Sequence, residues 1–225
     1  MVQPDDGEGV QDGAADPYGS RAVLDEGTLE TIRESNQGFL TLLVRRHAAD
    51  PSLAVFGLNV ASAAAVAALD EHGRRAVAAC PYTLFNLRFD DAGFWRRVAV
   101  DCRDPGPDSL ADEAAFARTT LFLAWHLARY NDPAAAIALG MTPAVQRVWR
   151  RLPLPALACA TSAALPQLAA RWGAQPRFWA RLLQVTAAAG RPPRHADARL
   201  LGLQLLAAEG LGLAPPVRGA GAGPF

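Results

Sequence analysis

Two stretches of this chain, about residues 28–98 and 110–185, carry the same punctuation in the same order. Each opens with a long apolar-striped segment, breaks at Asp-Pro (Asp50-Pro51, Asp132-Pro133), and continues through a short Ala-rich run. Leu58-Asn59-Val60 then matches Leu139-Gly140-Met141, and Leu69 matches Leu152 after a two-residue gap. Arg88-Phe89 matches Arg171-Trp172, and the Phe94-Trp95 pair matches Phe178-Trp179. A repeat of this length constrains the fold, because two copies in one chain can bury the same apolar face against each other as a tethered pseudo-dimer.

Apolar positions at three- and four-residue steps make the long segments helices. In the first copy Leu29, Ile32, Phe39, Leu40, Leu43 and Val44 form such a stripe, with Thr28 as the expected N-cap. Ser52 to Phe56 is expected as a short second helix, with Asn59 taking the left-handed turn that glycine takes elsewhere. A helix from Ala61 to Leu69 follows, then punctuation at Gly73, then Arg74 to Ala79. Leu84 to Phe89 alternates enough for a strand or extended arm, and Asp91 to Val98 closes the unit. In the second copy, Ser109 with Asp112 resembles a capping box opening a helix through Tyr130. Helices near Ala156 to Leu165, from Phe178-Trp179 to about Ala189, and over Ala196 to Glu209 complete the chain. The composition agrees: half the residues are hydrophobic, mostly Ala and Leu, and strand-type alternation is scarce. The expected class is all-α. The divisions are an acidic, disordered 1–26, a first helical unit 27–99, a linker 100–108, a second unit 109–189, and a C-terminal helix and disordered tail 190–225.

Within the second copy, Ala134 to Leu157 has the outline of a helix-turn-helix. Gly140 supplies the turn, Thr142 and Pro143 cap and start the next helix, and the Leu152-Pro153-Leu154-Pro155 corner ends it. Arg147, Arg150 and Arg151 fall at i, i+3, i+4, suited to phosphate, with Gln146 near base edges. Gln146 also occupies a position where a turn of this kind expects core, and a solvated basic face is the plainer reading of the arginines. Arg74 and Arg75 are the first copy's nearest equivalents.

Leu121 to Leu127 is apolar on nearly every side, more than one small unit covers. Phe122, Leu123, Trp125 and Leu127 there, with Phe39, Leu40 and Leu43 on the first long helix, are the expected dimer or partner interface. The two Phe-Trp pairs, repeated at matched places, read more simply as core.

The remaining chemistry is sparse. Cys80, Cys102 and Cys159 have no CxxC spacing, so no disulfide framework or zinc cluster is expected and a reducing compartment fits. The four histidines have no ligand spacing, and GAGAGPF at the end follows no strand, so it fails as a phosphate loop. No cofactor and no enzymatic activity are expected. Residues 1–30 hold eight acidic side chains and only Arg21, leaving a basic body on a chain of net charge zero. That balance permits nucleic-acid contact without demanding it. The acidic start lacks a signal-peptide core and arginine or aspartate interrupts each apolar run, so a cytoplasmic protein without membrane contact is expected.

The segment SNQGFLTLLVRRHAADPSLAVFGLN, Ser35 to Asn59, resembles the opening of the flagellar transcriptional regulator FlhD family. Asn36, Phe39, Leu40, Leu42, Arg45, Asp50, Ala54, Phe56 and Leu58 sit at matching spacing. Leu87-Arg88-Phe89-Asp90 is similar to that family's Phe-Arg-Phe-Asp. In the second copy, Leu139-Gly140-Met141 and Leu152-Pro153-Leu154-Pro155 resemble its Leu-Gly-Ile and Leu-Thr-Leu-Pro. The resemblance implies tandem, diverged FlhD-like units forming an all-helical regulator that works with an FlhC-like partner at flagellar promoter DNA. It further implies that the partner carries zinc and much of the DNA contact. The family has single copies where this chain has two. Phe85 stands where the family often has cysteine, so an intersubunit disulfide at that site is excluded. The runner-up is a helical adaptor or anti-activator that binds such a partner and no DNA.

Overall fold

The computed structural model describes residues 23–100, 111–187 and 195–210. The first helix starts earlier than Thr28. Asp25 is its cap, its Oδ1 accepting from the Thr28 amide at 2.7 Å. Helix α1 then runs over Glu26–Ala49, with Glu26 in its first turn and Arg46 and His47 in its last, complementing the helix dipole. The helix expected over Ser52 to Phe56 is absent. Val55 and Leu58 instead exchange both main-chain hydrogen bonds (3.1 and 2.9 Å) around Phe56 and Gly57, which both have positive φ. This is the geometry of a tight hairpin turn, and Gly57 favours it. Five residues bounded by proline and glycine cannot repay the cost of nucleating a helix. Asn59 is consequently not the left-handed residue; extended, it caps α2 (Val60–Ala67) through Ser62.

Asp70 caps α3 (Glu71–Ala78), which starts before Gly73 and carries it inside instead of beginning at Arg74. Strand β1 (Phe85–Asn86) is followed by α4 (Ala92–Val100), whose first turn Asp91 caps by accepting from the Phe94 amide. The second half comprises α5 (Ala111–Tyr130), α6 (Asp132–Leu139), α7 (Pro143–Arg151) and α8 (Ala156–Ala164). A 3₁₀ turn at Leu165–Gln167, β2 (Ala169–Ala170), α9 (Pro176–Ala187) and α10 (His195–Gly210) complete it. The described residues are helical apart from the isolated Val55–Leu58 bridge and a two-residue antiparallel ladder pairing Phe85 with Ala170 and Asn86 with Ala169. Ser109 and the expected tails and linker core, residues 1–22, 101–110, 188–194 and 211–225, lie outside the described residues.

Helix α1 lies on α2 and α3, and α5 on α7 and α8. Helices α4 and α9, each following a strand of the ladder, then cross over: α4 packs on α7 and α8, and α9 on α2 and α3. The β1–β2 ladder is where the crossing segments meet. Helices α1 and α5 run antiparallel, with Arg46 Nε on Glu113 at 2.6 Å at one end and Asn131 donating to the Val23 carbonyl at 3.0 Å at the other. A Cβ on Gly38 would sit 3.2 Å from the Phe116 ring, so the glycine allows this close approach.

One buried cluster joins both halves, from Ile32 and Phe39 through Trp95 and Leu121 to Trp149 and Trp179. Asn36, fully buried, is satisfied on three sides. Its Nδ2 donates to the carbonyls of Ala78 and Tyr82, and its Oδ1 accepts from the Leu84 amide. That amide fixes the chain entering β1 to α1, as buried polar groups must be paired.

Candidate nucleic-acid and partner interface

The turn unit in the second half is built from local signals. Asn131 Oδ1 accepts from the Ala134 amide and Pro133 occupies the first turn of α6, where no amide is needed. Gly140 then takes φ +71°, ψ +26°. Thr142 Oγ1 accepts from Val145 at 3.3 Å, and Pro143 starts α7. Leu139, Met141, Val145, Trp149 and Leu152 point inward. Trp149 packs edge-to-face on Trp95 of α4, ring centroids 4.5 Å apart.

The polar residues of α7 divide sharply. Gln146 is buried and its Nε2 donates to the carbonyls of Asp132 (3.0 Å) and Met141 (3.4 Å). In that position the side chain fastens the turn and faces no base edge. Arg150 bends back, with Nε on the Ala128 carbonyl at 3.0 Å and Nη2 paired to Asp132. Arg147 and Arg151 are exposed and carry no ion pair to any described residue. They are one helical turn apart, on the face opposite Trp149.

The first half offers less. Arg74 is half-buried and donates to the Leu69 carbonyl, and Arg75 pairs with Glu71 one turn away. Sequence reasoning passed over Arg96 and Arg97 on α4, and Arg177 and Arg181 on α9. All four are exposed beside the two buried tryptophans. Their recurrence next to each Phe-Trp pair was the available signal.

Of the interface residues expected from sequence, Phe39, Leu40 and Leu43 are fully buried and Leu127 is 2% exposed, all in the intrachain core. Phe39 and Phe116 flank Phe85, with ring centroids 5.3 and 4.9 Å from it, so α1 meets the other half of its own chain there. Leu123 is half-buried. Trp125 donates to the Leu152 carbonyl at 2.9 Å and carries Arg129 over its ring. Phe122 is 44% exposed. At four-residue steps from it stand His126 and Tyr130, the latter 71% exposed, with ring centroids 5.1 Å apart.

Arg171 is the most deeply buried cation described. Its Nη2 lies 3.0 Å from Glu209 of α10, and Nη1 donates to the Ala138 carbonyl. Burial pushes its guanidinium pKa down, and Glu209 opposes that shift. Among the described residues no group of three or more His, Cys, Asp or Glu is placed to hold a metal ion. Cys159 is disulfide-bonded, where no disulfide framework is expected from the sequence. Three scattered cysteines give no spacing from which a pairing can be read. Cys80 is a buried thiol. None of the described helices is long and apolar enough to cross a membrane.

No family model, curated protein or solved structure matches this chain.

Proposed function

We propose that this chain is a transcriptional regulator similar to FlhD, in which two diverged units are packed as an intrachain pseudo-dimer. It acts with an FlhC-like partner in controlling flagellar gene transcription and is not an enzyme. The observation carrying this reading is the capped α6–Gly140–α7 unit, whose second helix turns Arg147 and Arg151 to solvent. The pseudo-dimer is supported by the reciprocal crossing of α4 and α9.

Two exposed guanidinium groups hold phosphate bidentately but carry no sequence information. Since Gln146 and Arg150 are engaged within the chain, base reading falls to the partner. The partner docks on the Phe122, His126 and Tyr130 face of α5, where aromatic side chains stand out of the core. The test reconstitutes the full chain with an FlhC-like protein and measures promoter affinity against salt. Arg147→Glu with Arg151→Glu should weaken binding and lower the salt slope by about 2. An unchanged affinity and slope would remove the DNA role.

The internal engagement of Gln146, Arg74 and Arg75 favours a second reading, an adaptor or anti-activator that binds the same partner and leaves DNA untouched. In that case the double reversal changes nothing, while Phe122→Asp still abolishes partner capture.

A further inference from the structure

Helices α1 and α5 leave a cleft of about 300 Å³ between them. Gly38 and the Phe116 ring lie within it, and the antiparallel helices carry Thr31, Glu34 and Ser35 past Thr119 and Thr120. Its polar chemistry is one-sided. Thr31 Oγ1 donates to the Gly27 carbonyl at 2.8 Å, Ser35 Oγ to the Thr31 carbonyl at 2.8 Å, and Thr119 Oγ1 to the Ala115 carbonyl at 3.1 Å. A hydroxyl has a single proton, so these three oxygens offer a ligand only lone pairs. Glu34 adds an exposed carboxylate that pairs with no described cation, since Arg33 beside it is held by Glu26 and Glu30. Thr120 is 1% exposed, and its hydroxyl makes no hydrogen bond to a described residue. No cation lines the cleft.

We propose that this cleft receives the side chain of an arginine belonging to a partner protein.

Acceptors beside an aromatic ring call for a ligand with several donors, a positive charge and an apolar stem. A guanidinium group has five N–H donors and no acceptor, and its stem packs along apolar surface. Glu34 stands one helical turn, about 5.4 Å, from Gly38. A stem laid over Phe116 and Gly38 therefore brings the guanidinium to the Glu34 carboxylate, which it can hold bidentately as lysine cannot. Phe116 is itself fixed edge-on against Phe85, ring centroids 4.9 Å apart, so the wall of the cleft is firm. The arginine belongs to a protein chain because nothing in the cleft pairs with the carboxylate of the free amino acid. Thr119 also precedes Phe122 by one turn, so the cleft continues along the α5 face proposed above for the partner. For that source alone the inference rests on the partner reading.

The test titrates the full chain with N-acetyl-arginine N-methylamide and follows it by NMR. Saturable shifts should appear at Thr31, Gly38, Thr119 and Thr120, with a dissociation constant in the millimolar range. Glu34→Gln should weaken binding about 2- to 5-fold. Thr120→Val should weaken it too, yet leave the urea midpoint unchanged or higher, because its hydroxyl has no partner to lose. Equal binding of the norleucine analogue, which has the stem without the charge, or indifference to Glu34→Gln, would overturn the site. Free arginine should bind more weakly than the amide, and equal or tighter binding would assign the cleft to the free amino acid. Glu34→Gln should also lower capture of the partner in the reconstitution above, and undiminished capture would overturn the protein source. The partner face fails separately: if the amide binds as expected while Phe122→Asp leaves capture intact, the cleft stands and the docking of the partner on Phe122 falls.

Discussion

Glu209 Oε2 stands 3.0 Å from Arg171 Nη2, and its other oxygen accepts from the Trp172 indole, so one carboxylate pins α10 to the centre of the molecule. Arg171 is almost wholly buried and Glu209 about one-third exposed, so the pair is only partly screened. Removing Glu209 strands a buried cation. Glu209→Ala should cost about 1–3 kcal/mol in urea unfolding and make 195–210 the first segment cut by protease. Equal stability would mean α10 is not held by this contact.

Gly140 is constrained twice. Its φ is +71°, and a Cβ there would come within 2.0 Å of Arg171 Nη2. Gly140→Ala should therefore cost about 2–3 kcal/mol, from left-handed strain plus displacement of a packed guanidinium. Gly57, with positive φ and open space around it, supplies the control. Gly57→Ala should cost about 1 kcal/mol, the strain alone.

Asn36 couples α1 to the end of α3 through the Ala78 carbonyl and to the chain entering β1 through Tyr82 and Leu84. Asn36→Asp replaces two donors with a carboxylate aimed at two carbonyls, a change of about 3 kcal/mol or more at neutral pH. That carboxylate would be raised in pKa by burial. The deficit should shrink below the unfolded pKa and grow as pH rises through the folded one, a trend that urea midpoints measured across pH will check.

Asp91 runs the opposite way. The Phe94 amide holds its carboxylate below the ordinary range, with Arg88 assisting and partial burial opposing. A lowered folded pKa gives stability that is present above the unfolded value and lost as pH falls through the folded one. Asp91→Ala should destabilise by about 1 kcal/mol at pH 7. Wild type and variant should converge as the pH falls through the lowered folded pKa. A pH-independent difference would assign the loss to packing.

Leu127 and Phe122, five residues apart on α5, should behave differently under polar substitution. Leu127→Asp places a charge in the core and should unfold the protein by circular dichroism. Phe122→Ser should leave folding and thermal midpoint nearly unchanged while abolishing partner capture. Retained capture would move the interface elsewhere.

Much of the helical layout was written in local chemistry. Asn131-Asp132-Pro133, Gly140 and Thr142-Pro143 act within a turn of themselves, and the α6–α7 unit appears where they place it. Two local choices differ from expectation, both through partners only three residues away. Residues 55–58 close into a tight turn in place of a helix, and Asp25 caps α1 instead of Thr28. Of the candidate site, the arginine spacing was legible, but the fates of the individual side chains were not. Arg150 and Gln146 are drawn inward by Asp132 and the turn carbonyls, groups that only folding brings beside them.

By itself, then, the sequence determined an all-helical chain with two similarly punctuated halves, because periodicity and caps are short-range. Tertiary structure alone decided that each half sends the helix after its strand, α4 or α9, onto the other. That choice depends on matching the buried faces of α4 and α9 to helices far away in the chain. The tryptophans mark it: Trp95 donates to the Arg88 carbonyl and Trp179 to the Arg171 carbonyl, each locking the crossing segment behind its helix. No local pattern encodes such a pairing, since its energy comes from apolar area that exists only once both halves are assembled.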